Sequence, residues 1–376
     1  MNPPCQASDV VRAASRFALP GEVVDVRRHG SGLIHDTWLV TCSAAGGVAR
    51  FILQCMRIDV FPHPDRVMEN IRRVTDHALA ELKACGVADA HRRTLCCVPT
   101  HDGAWLADDG TGGCWRAYPF IERTHAVDMP ESNAQVREAA RAFAGFQKTA
   151  ASLGGPRLHE TIPEFHHTPR RIQALEDAAS ADRNGRAAQV RDELAFVRSH
   201  AVECTRIADL MARGIIPERV AHNDTKISNV LFDDATGEGI CVVDLDTTMP
   251  GTVLSDFGDL VRSAAGGTAE DDPRPEANRL DLHRFTAITE GYLSAADFLE
   301  PSERDQLAFS AWLITMECGV RFLTDFLAGD TYFRSTRPGQ NLDRCRSQFA
   351  LAQSIADQLS ELERIVARTA DRQANG

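Results

Sequence analysis

The sequence predicts an α+β fold in two lobes: a small N-terminal lobe with a mixed β-sheet, residues 1–120, and a larger, mainly helical lobe, residues 121–376. Before residue 121, short strand-like runs are separated by turns. From Ser132 onwards, apolar residues recur at the three- and four-residue spacing of amphipathic helices. A third observation is a polar cluster between residues 221 and 262, flanked by two apolar runs, which places the chemistry in the second lobe.

Composition limits the class of function. The chain has 376 residues, of which 43% are hydrophobic, so it is long enough for roughly two domains and a sizeable core. Its net charge of −12 argues against nucleic acid as a partner, because binding a phosphate backbone needs clustered Lys and Arg. There is no run of about 18 apolar residues and no apolar signal core near the start, so we expect a cytoplasmic protein with no membrane contact. Nothing in the sequence indicates an obligatory protein partner.

The N-terminal lobe begins with a glycine-containing hairpin. The stretch from Gly21 to Cys42 predicts two strands joined by a turn that contains Gly30 and Gly32, with Thr37 on the second strand. Glycines in such a turn allow the backbone to approach nucleotide phosphates closely, with N–H groups directed at phosphate oxygens. A hairpin also uses glycine simply to reach positive φ, which is the alternative for this turn.

A third strand at residues 49–56 and a helix at residues 64–85 are expected next. Protein kinases carry a lysine on the third strand that pairs with a glutamate of the following helix, but here Gln54 occupies the corresponding place. Gln54 and Arg57 are therefore candidate nucleotide-binding residues, with Arg57 as the candidate cation for the α- and β-phosphates. A surface arginine without such a role is the alternative.

Two more strands, at residues 96–99 and 114–120, complete the predicted sheet. The second runs into residues 118–122, which we expect to form the hinge between the lobes. Because adenine normally lies against this hinge in kinases, Tyr118, Phe120 and Glu122 are candidate nucleotide-binding residues. Packing between the lobes is the alternative for the two aromatic side chains.

The second lobe is predicted to be built from helices. Ser132 or Asn133 is expected to cap an amphipathic helix that follows it. Two charge-alternating helices are expected between residues 170 and 213. Further helices are expected at residues 282–293, 303–327 and 343–369.

The central stretch combines a polar loop with a hairpin. The sequence HNDTKISN places His222, Asp224, Lys226 and Asn229 in the order HxDxKxxN. An apolar run VLF, a turn DDATGEG and a second apolar run ICVV then predict a β-hairpin that ends on Asp244. The hairpin would bring Asn229 and Asp244 to the same edge, next to the polar loop.

This cluster has the residue types that phosphoryl transfer requires. An anion must orient the attacking hydroxyl, and oxygen ligands must hold the Mg²⁺ that neutralises phosphate charge. The spacing from Asp224 to Asn229 reproduces the HRDxxxxN motif of protein kinases, so we expect a protein-kinase-like site in which Asp224 is the catalytic base and Asn229 and Asp244 bind Mg²⁺. Lys226 is a candidate for contact with the transferred phosphate. Taken singly, Asp and Asn in turns often bond only their own backbone, which is the alternative.

The surroundings of the cluster are predicted to hold it in place. His222 is expected to be structural, with its imidazole hydrogen bonded to other groups of the loop. Asp256, in the later sequence SDFGD, is the expected acceptor.

The motifs HNDTKISNVLFD and VVDLDTTMPGTVLSDFGDLVR resemble those of the aminoglycoside phosphotransferase and choline kinase superfamily. Within it, the chain is similar to the N-acetylhexosamine 1-kinases, which phosphorylate sugars at the anomeric carbon. The segments at residues 53–77, 117–124 and 317–333 support the resemblance, which therefore extends over most of the chain.

The resemblance implies an aminoglycoside phosphotransferase-like fold, ATP and Mg²⁺ as cofactors, and a small sugar as substrate. It implies phosphorylation of the C1 hydroxyl of N-acetylglucosamine or N-acetylgalactosamine, with Asp224 bonded to that hydroxyl and Asp244 beside it. Arg321 and Tyr332 match the positions at which the anomeric kinases bind the sugar. The missing third-strand lysine is normal in that group.

Two other functions are compatible with the motifs. The first is a kinase of the same superfamily that acts on another hydroxyl compound, such as a different sugar, an aminoglycoside or an amino alcohol, because fold and phosphate chemistry are separable from acceptor choice. The second is a nonenzymatic pseudokinase, suggested by the absent lysine and disfavoured by the intact Asp224, Asn229 and Asp244.

Overall fold

The structure, a computed structural model, describes residues 5–30, 34–44, 46–268 and 270–374. Within these ranges the small lobe carries an antiparallel sheet with the strand order β1-β2-β3-β5-β4. Its strands are β1 (Val23–Arg28), β2 (Asp36–Ala44), β3 (Gly47–Met56), β4 (Ala107–Asp108) and β5 (Cys114–Pro119). The same lobe contains the helices α1 (Ala7–Ala14) and α2 (Pro64–Ala84).

The larger lobe is mainly helical. Its helices are α3 (Asn133–Ala151), α4 (Thr168–Ala181), α5 (Arg191–Ser199), α6 (Arg206–Ala212), α7 (Val253–Ala264), α8 (Leu282–Ala295), α9 (Pro301–Arg304), α10 (Leu307–Ala328), α11 (Gln340–Ala356) and α12 (Leu359–Ala374). Two small sheets, β6-β8-β9 and β10-β7, support the site. Their strands are β6 (Thr124–His125), β7 (Arg219–Ala221), β8 (Val230–Asp233), β9 (Gly239–Val242) and β10 (Met249–Gly251).

The predicted two-lobed fold is confirmed, including the hairpin β8–β9 and the cap of α3, where the Ser132 hydroxyl accepts the Gln135 N–H. The strand pairs of the N-terminal sheet are all antiparallel where we expected a mixed sheet. The strand predicted at residues 96–99 is wrong. Within this described segment the Val98 N–H alone bonds to β5, and Pro99 has no N–H. The strand that pairs with this edge of β5 is therefore β4.

Three helix predictions also need correction. The helix expected at residues 303–327 is divided into α9 and α10. Residues 170–213 form three helices where two were expected, and α4 ends at Ala181 because the next residue, Asp182, has a left-handed conformation with φ 36°. The helix expected at residues 343–369 is divided into α11 and α12. There the Gln358 side-chain amide donates to the Ser354 carbonyl, and the Gln358 N–H donates to the Ile355 carbonyl. The regular hydrogen-bond pattern of the helix is therefore interrupted.

The core of the larger lobe is built around α3, α7, α8 and α10. By length and composition α10 could cross a membrane, with a mean hydropathy of 1.2 over its 18-residue window. However, 89% of that window is buried inside the protein, where α10 packs against α7 and α11. Its apolar character is therefore explained by its position at the centre of the core.

Close contact between α3 and α8 depends on a glycine. A Cβ atom added to Gly291 on α8 would lie 2.1 Å from the Arg137 carbonyl oxygen on α3, which is a backbone atom that moves only if the helix moves. Gly145 on α3 has the opposite surroundings, because nothing lies within 4 Å of an added Cβ atom.

We predict opposite effects for the same substitution at these two positions. Gly291→Ala forces α3 and α8 apart and should lower the free energy of unfolding by about 1–3 kcal/mol. Gly145→Ala should raise it by up to about 1 kcal/mol, because alanine favours the helix. Urea-induced unfolding followed by circular dichroism measures both, and equal stability of the two variants would show that the helices do not pack at this distance.

Candidate active site

A buried carboxylate on α7 holds the loop that carries the predicted catalytic residues. Asp256 accepts the backbone N–H groups of His222 at 2.8 Å and Asn223 at 2.7 Å. It also accepts the Gln147 amide from α3 at 2.5 Å, and its own carbonyl accepts the Thr225 hydroxyl. Thr252 caps α7 one turn earlier by accepting the Leu254 N–H. Asp256 therefore holds the backbone of this loop.

The predicted bond from the His222 imidazole to Asp256 is not formed, because Asp256 is occupied by backbone donors. Instead, His222 Nε2 bonds the Val243 carbonyl at 2.9 Å, and Nδ1 accepts the Asp224 N–H at 3.2 Å. This arrangement places the proton on Nε2. Phe143 and Phe146 contact the ring edge-on, at centroid distances of 5.4 and 5.7 Å. His222 thus fastens the catalytic loop to the end of the hairpin.

Asp224 lies in this loop with both predicted neighbours. Its Oδ1 is 2.8 Å from Lys226 Nζ, and Asn229 Nδ2 donates to its carbonyl at 2.8 Å and to its Oδ2 at 3.2 Å. Burial alone would raise the pKa of Asp224, but the ammonium of Lys226 outweighs this effect and lowers the pKa to about 2. Asp224 is therefore ionised at neutral pH. Burial alone would lower the pKa of Lys226, but the negative charges of Asp224 and Asp259 raise it overall, so the ammonium stays charged.

Asp244 follows β9 in a left-handed conformation with φ 60°, and its side chain is open to the cleft. Partial desolvation by the surrounding protein, together with the charges of Asp246 and Asp224, raises its pKa to about 6. Asn229 uses its amide nitrogen on Asp224, which leaves its amide oxygen as a possible metal ligand. A divalent cation between these oxygens would offset the repulsion among the carboxylates.

The donor set fits Mg²⁺ held partly by a nucleotide. Among the described residues there is no group of three His, Cys, Asp or Glu side chains that would form a complete metal site. Asn229 and Asp244 supply hard oxygen ligands, and Mg²⁺ in kinases typically takes its remaining ligands from phosphates and water.

A cleft of about 530 Å³ lies between the lobes, beside Asp244. Gly30 and Gln54 border it from the small lobe, and Tyr118 and Phe120 border it from the hinge. Its apolar walls are formed by Ile52, Leu95, Ile121, Leu231 and Val243. A cleft of this size with apolar walls from both lobes suits a planar base whose phosphates point toward Asp244.

A buried arginine lies directly behind Gln54. Arg116 on β5 donates its Nε to Gln54 Oε1 at 3.0 Å, and Gln54 donates to the Thr37 hydroxyl at 3.1 Å. The Arg116 guanidinium, 1% exposed, forms two parallel bonds with Asp246 at 2.7 and 2.6 Å. His35 Nε2 lies 3.3 Å from the same carboxylate. Sequence reasoning missed Arg116, although a lone arginine in the strand CWRAYP was a usable signal.

Other predicted nucleotide-binding residues lie away from the cleft. Arg57 forms a two-bond pair with Asp59, at 2.7 and 2.5 Å, at the end of β3. Glu122 pairs with Arg50 outside the cleft lining, and Arg50 lies over the Phe120 ring. The structure therefore gives Arg57 and Glu122 partners of their own. Gly32 lies outside the described residues.

Arg321 on α10 lies close enough to Asp224 for their charges to interact. Its guanidinium lies 4.6 Å from the Phe165 ring centre and 5.5 Å from that of Phe333. No hydrogen bond or ion pair to Arg321 is formed within the described part of the chain. Asp224 is among the charges that raise the Arg321 pKa against the effect of burial. The free N–H groups are thus available to a ligand near Asp224.

Tyr332, also a predicted sugar-binding residue, is 52% exposed and packs edge-on against Phe333. Asp325, buried on α10, fixes this loop by accepting the backbone N–H groups of Thr331, Tyr332 and Phe333 at 2.8–2.9 Å. The two aromatic residues beside Arg321 are therefore held by one carboxylate.

Comparison with known proteins gives consistent results. The model of a family described as "Phosphotransferase enzyme family" matches residues 25–297, which is more than half of the chain. An aminoglycoside phosphotransferase from Alicyclobacillus acidocaldarius superposes with a TM-score of 0.58 at 15% identity, covering 98% of each chain. A spectinomycin phosphotransferase in complex with ADP and spectinomycin gives 0.58 at 12% identity, covering 95% of this chain and 99% of that one.

A choline kinase from Cryptosporidium parvum superposes with a TM-score of 0.57 at 11% identity, covering 94% of this chain and 97% of that one. At such identities the superpositions establish the fold alone. Together with the family match, they show that the chain belongs to the phosphotransferase enzyme family and has the two-lobed fold of aminoglycoside phosphotransferases and choline kinases.

Proposed function

We propose that this phosphotransferase uses ATP and Mg²⁺ to phosphorylate the anomeric C1 hydroxyl of an N-acetylhexosamine. The observation that carries the proposal is that ionised Asp224 interacts electrostatically both with Asp244, which lines the interlobe cleft, and with Arg321, whose guanidinium has no hydrogen bond or ion pair among the described residues. The ADP named with the spectinomycin phosphotransferase structure supports a nucleotide in the cleft.

The residues of the loop have separate tasks in this reaction. Asp224 orients the C1 hydroxyl and accepts its proton while the γ-phosphoryl group moves to the sugar oxygen and ADP leaves. Lys226, 2.8 Å from Asp224, stays protonated and offsets negative charge on the transferred group. Asn229 and Asp244 would hold Mg²⁺, which neutralises phosphate charge when it is bound. Catalysis then depends chiefly on position and electrostatics.

The charge around the acceptor position favours a neutral sugar over a cation. Arg321 has no ion-pair partner among the described residues, and its positive charge interacts with Asp224, whose own charge is already matched by Lys226. An amino alcohol or a polyamine would place an ammonium near that guanidinium, which is unfavourable in a partly desolvated site. Hydroxyl and acetamido oxygens, by contrast, accept hydrogen bonds from Arg321. The resemblance of residues 317–333 to the anomeric kinases supports the same acceptor.

An acceptor panel tests the proposal. With ATP and Mg²⁺, we expect N-acetylglucosamine or N-acetylgalactosamine to be phosphorylated, while the 1-O-methyl glycosides are inert because C1 carries no free hydroxyl. ADP release and ³¹P NMR of the product measure the outcome. If the methyl glycosides react equally well, the phosphorylated hydroxyl is not at C1. If only aminoglycosides or amino alcohols react, the enzyme is a kinase of the same family with a different acceptor.

Truncation of Arg321 tests the acceptor position separately. Arg321→Leu should raise KM for the sugar by roughly 10- to 100-fold, since charge-assisted bonds of about 1.5–3 kcal/mol are lost, and should leave KM for ATP unchanged. Arg346→Leu is the matched control, because Arg346 lies on α11 and pairs with Glu193 at the surface. A rise in KM for ATP alone, or no change in either constant, would show that Arg321 does not bind the acceptor.

A further inference from the structure

A buried histidine connects the acceptor helix with the catalytic loop. His166 lies in the segment between α3 and α4. Its Nδ1 is 2.7 Å from Glu317 Oε1 on α10, and its Nε2 is 3.0 Å from the Asn223 carbonyl oxygen. The second Glu317 oxygen accepts the Thr168 hydroxyl at 2.6 Å. The Glu317 side chain is 1% exposed and that of His166 is 9% exposed.

The partners of His166 determine its protonation. Both partners accept hydrogen bonds, because one is a carboxylate oxygen and the other is a backbone carbonyl. Only the doubly protonated ring can donate to both. Loss of a proton would leave one buried acceptor of His166 without its donor, which typically costs about 1–3 kcal/mol.

Electrostatics agree with this assignment. Burial disfavours a charged ring, but the Glu317 carboxylate outweighs burial and raises the pKa of His166 above its ordinary value. Burial likewise opposes the Glu317 charge, and His166 lowers the pKa of Glu317 overall. Arg321, also on α10, acts against the His166 charge. From α4, Arg171 faces the Phe165 carbonyl and donates to it, and also repels Arg321.

The Asn223 carbonyl belongs to the peptide that leads into Asp224. Asn223 has φ 65°, a conformation that is uncommon outside glycine, and it directly precedes Asp224. Its N–H is held by Asp256 and its side chain donates to the Thr247 carbonyl at 2.9 Å. The bond from His166 holds the backbone carbonyl of Asn223. The direction of the peptide that leads into Asp224 is therefore fixed by His166.

The same histidine is close to the acceptor position. Phe165, its neighbour in sequence, stacks on Arg321, and Glu317 lies one helical turn before Arg321 on α10. The Glu317–His166 pair thus connects the helix of Arg321, which would bind the sugar, with the loop of Asp224, which would orient its hydroxyl.

We propose that His166 and Glu317 form a positioning pair whose ionic form fixes the Asn223–Asp224 peptide relative to Arg321, so that turnover falls when His166 loses its proton. This inference rests on the proposed role of Asp224. Neither residue touches the reacting atoms, so both are positioning residues.

The kinetic test compares Glu317→Gln, His166→Gln and the control His159→Gln over a range of pH. His159 lies in the same segment but bonds Glu69 at the surface. For the wild type we expect kcat to fall on the alkaline side as His166 deprotonates. Glu317→Gln removes the charge that raises the pKa of His166, so this fall should move to lower pH. His166→Gln should lose this alkaline fall and reduce kcat roughly 10- to 100-fold, the cost of a small misplacement.

The control His159→Gln should retain the wild-type profile, and KM for ATP should stay unchanged in all variants. If Glu317→Gln lowers kcat equally at every pH, with the alkaline fall unmoved, the pair is merely structural and the proposal is wrong.

A second readout needs neither substrate nor variant stability. NMR of the ¹⁵N-labelled histidine rings of the wild type, with the His166 ring assigned through bonds from its own backbone resonances, should show both ring nitrogens protonated at pH 7. A neutral His166 at pH 7 would overturn the inference even if every variant failed to fold. If no acceptor is phosphorylated but the ring is charged, the proposed function fails while the ion pair stands.

Discussion

The burial of Asp256 is the constraint on which the site depends. A carboxylate in the interior is costly unless hydrogen bonds replace the water it has lost. Asp256 obtains them from two consecutive backbone N–H groups, at His222 and Asn223, and from Gln147. Two neighbouring N–H groups converge on one carboxylate only if the chain turns sharply, and Asn223 adopts positive φ at this point. This turn leads directly into Asp224 and so sets the position of that residue.

A second buried carboxylate joins the lobes. Asp246, two residues after Asp244, forms a two-bond pair with Arg116 of the small lobe, far from water. Such a pair contributes little net stability, but the loss of either partner would leave an isolated charge in the interior. The pair also brings Gln54 and Asp244 to the same cleft. The two neighbouring carboxylates therefore have pKa values shifted in opposite directions. Arg116 lowers the pKa of Asp246, whereas that of Asp244 is raised.

The hairpin and the loop could be predicted from the local sequence. The polar residues of HNDTKISN and the strands beside them lie within a few residues of each other, so their spacing predicts their arrangement. Local patterns also failed where hydrogen bonding was decisive, as at residues 96–99, an apolar run with too few bonds to form a strand. The His222 imidazole was assigned to Asp256 because the sequence does not show that backbone N–H groups already occupy that carboxylate.

The residues that sequence reasoning missed have partners far away in the chain. Arg116 and Asp246 are 130 positions apart, and His166 and Glu317 are 151 apart. No periodicity or motif relates such positions. The first pair forms because β5 of the small lobe packs against the turn after β9, and the second because α10 packs against the segment before α4. His159, His166 and His167 are close together in the sequence, but the fold gives each a different partner.

The most direct test of the account is the single-turnover rate of phosphoryl transfer in Asp224→Asn, with Asp297→Asn as a surface control that removes a carboxylate paired with Lys148. The account predicts a rate lower by about 10²–10⁴-fold, with nucleotide affinity retained and the control unaffected. A folded Asp224→Asn variant that transfers phosphate within a few-fold of the wild-type rate would contradict it.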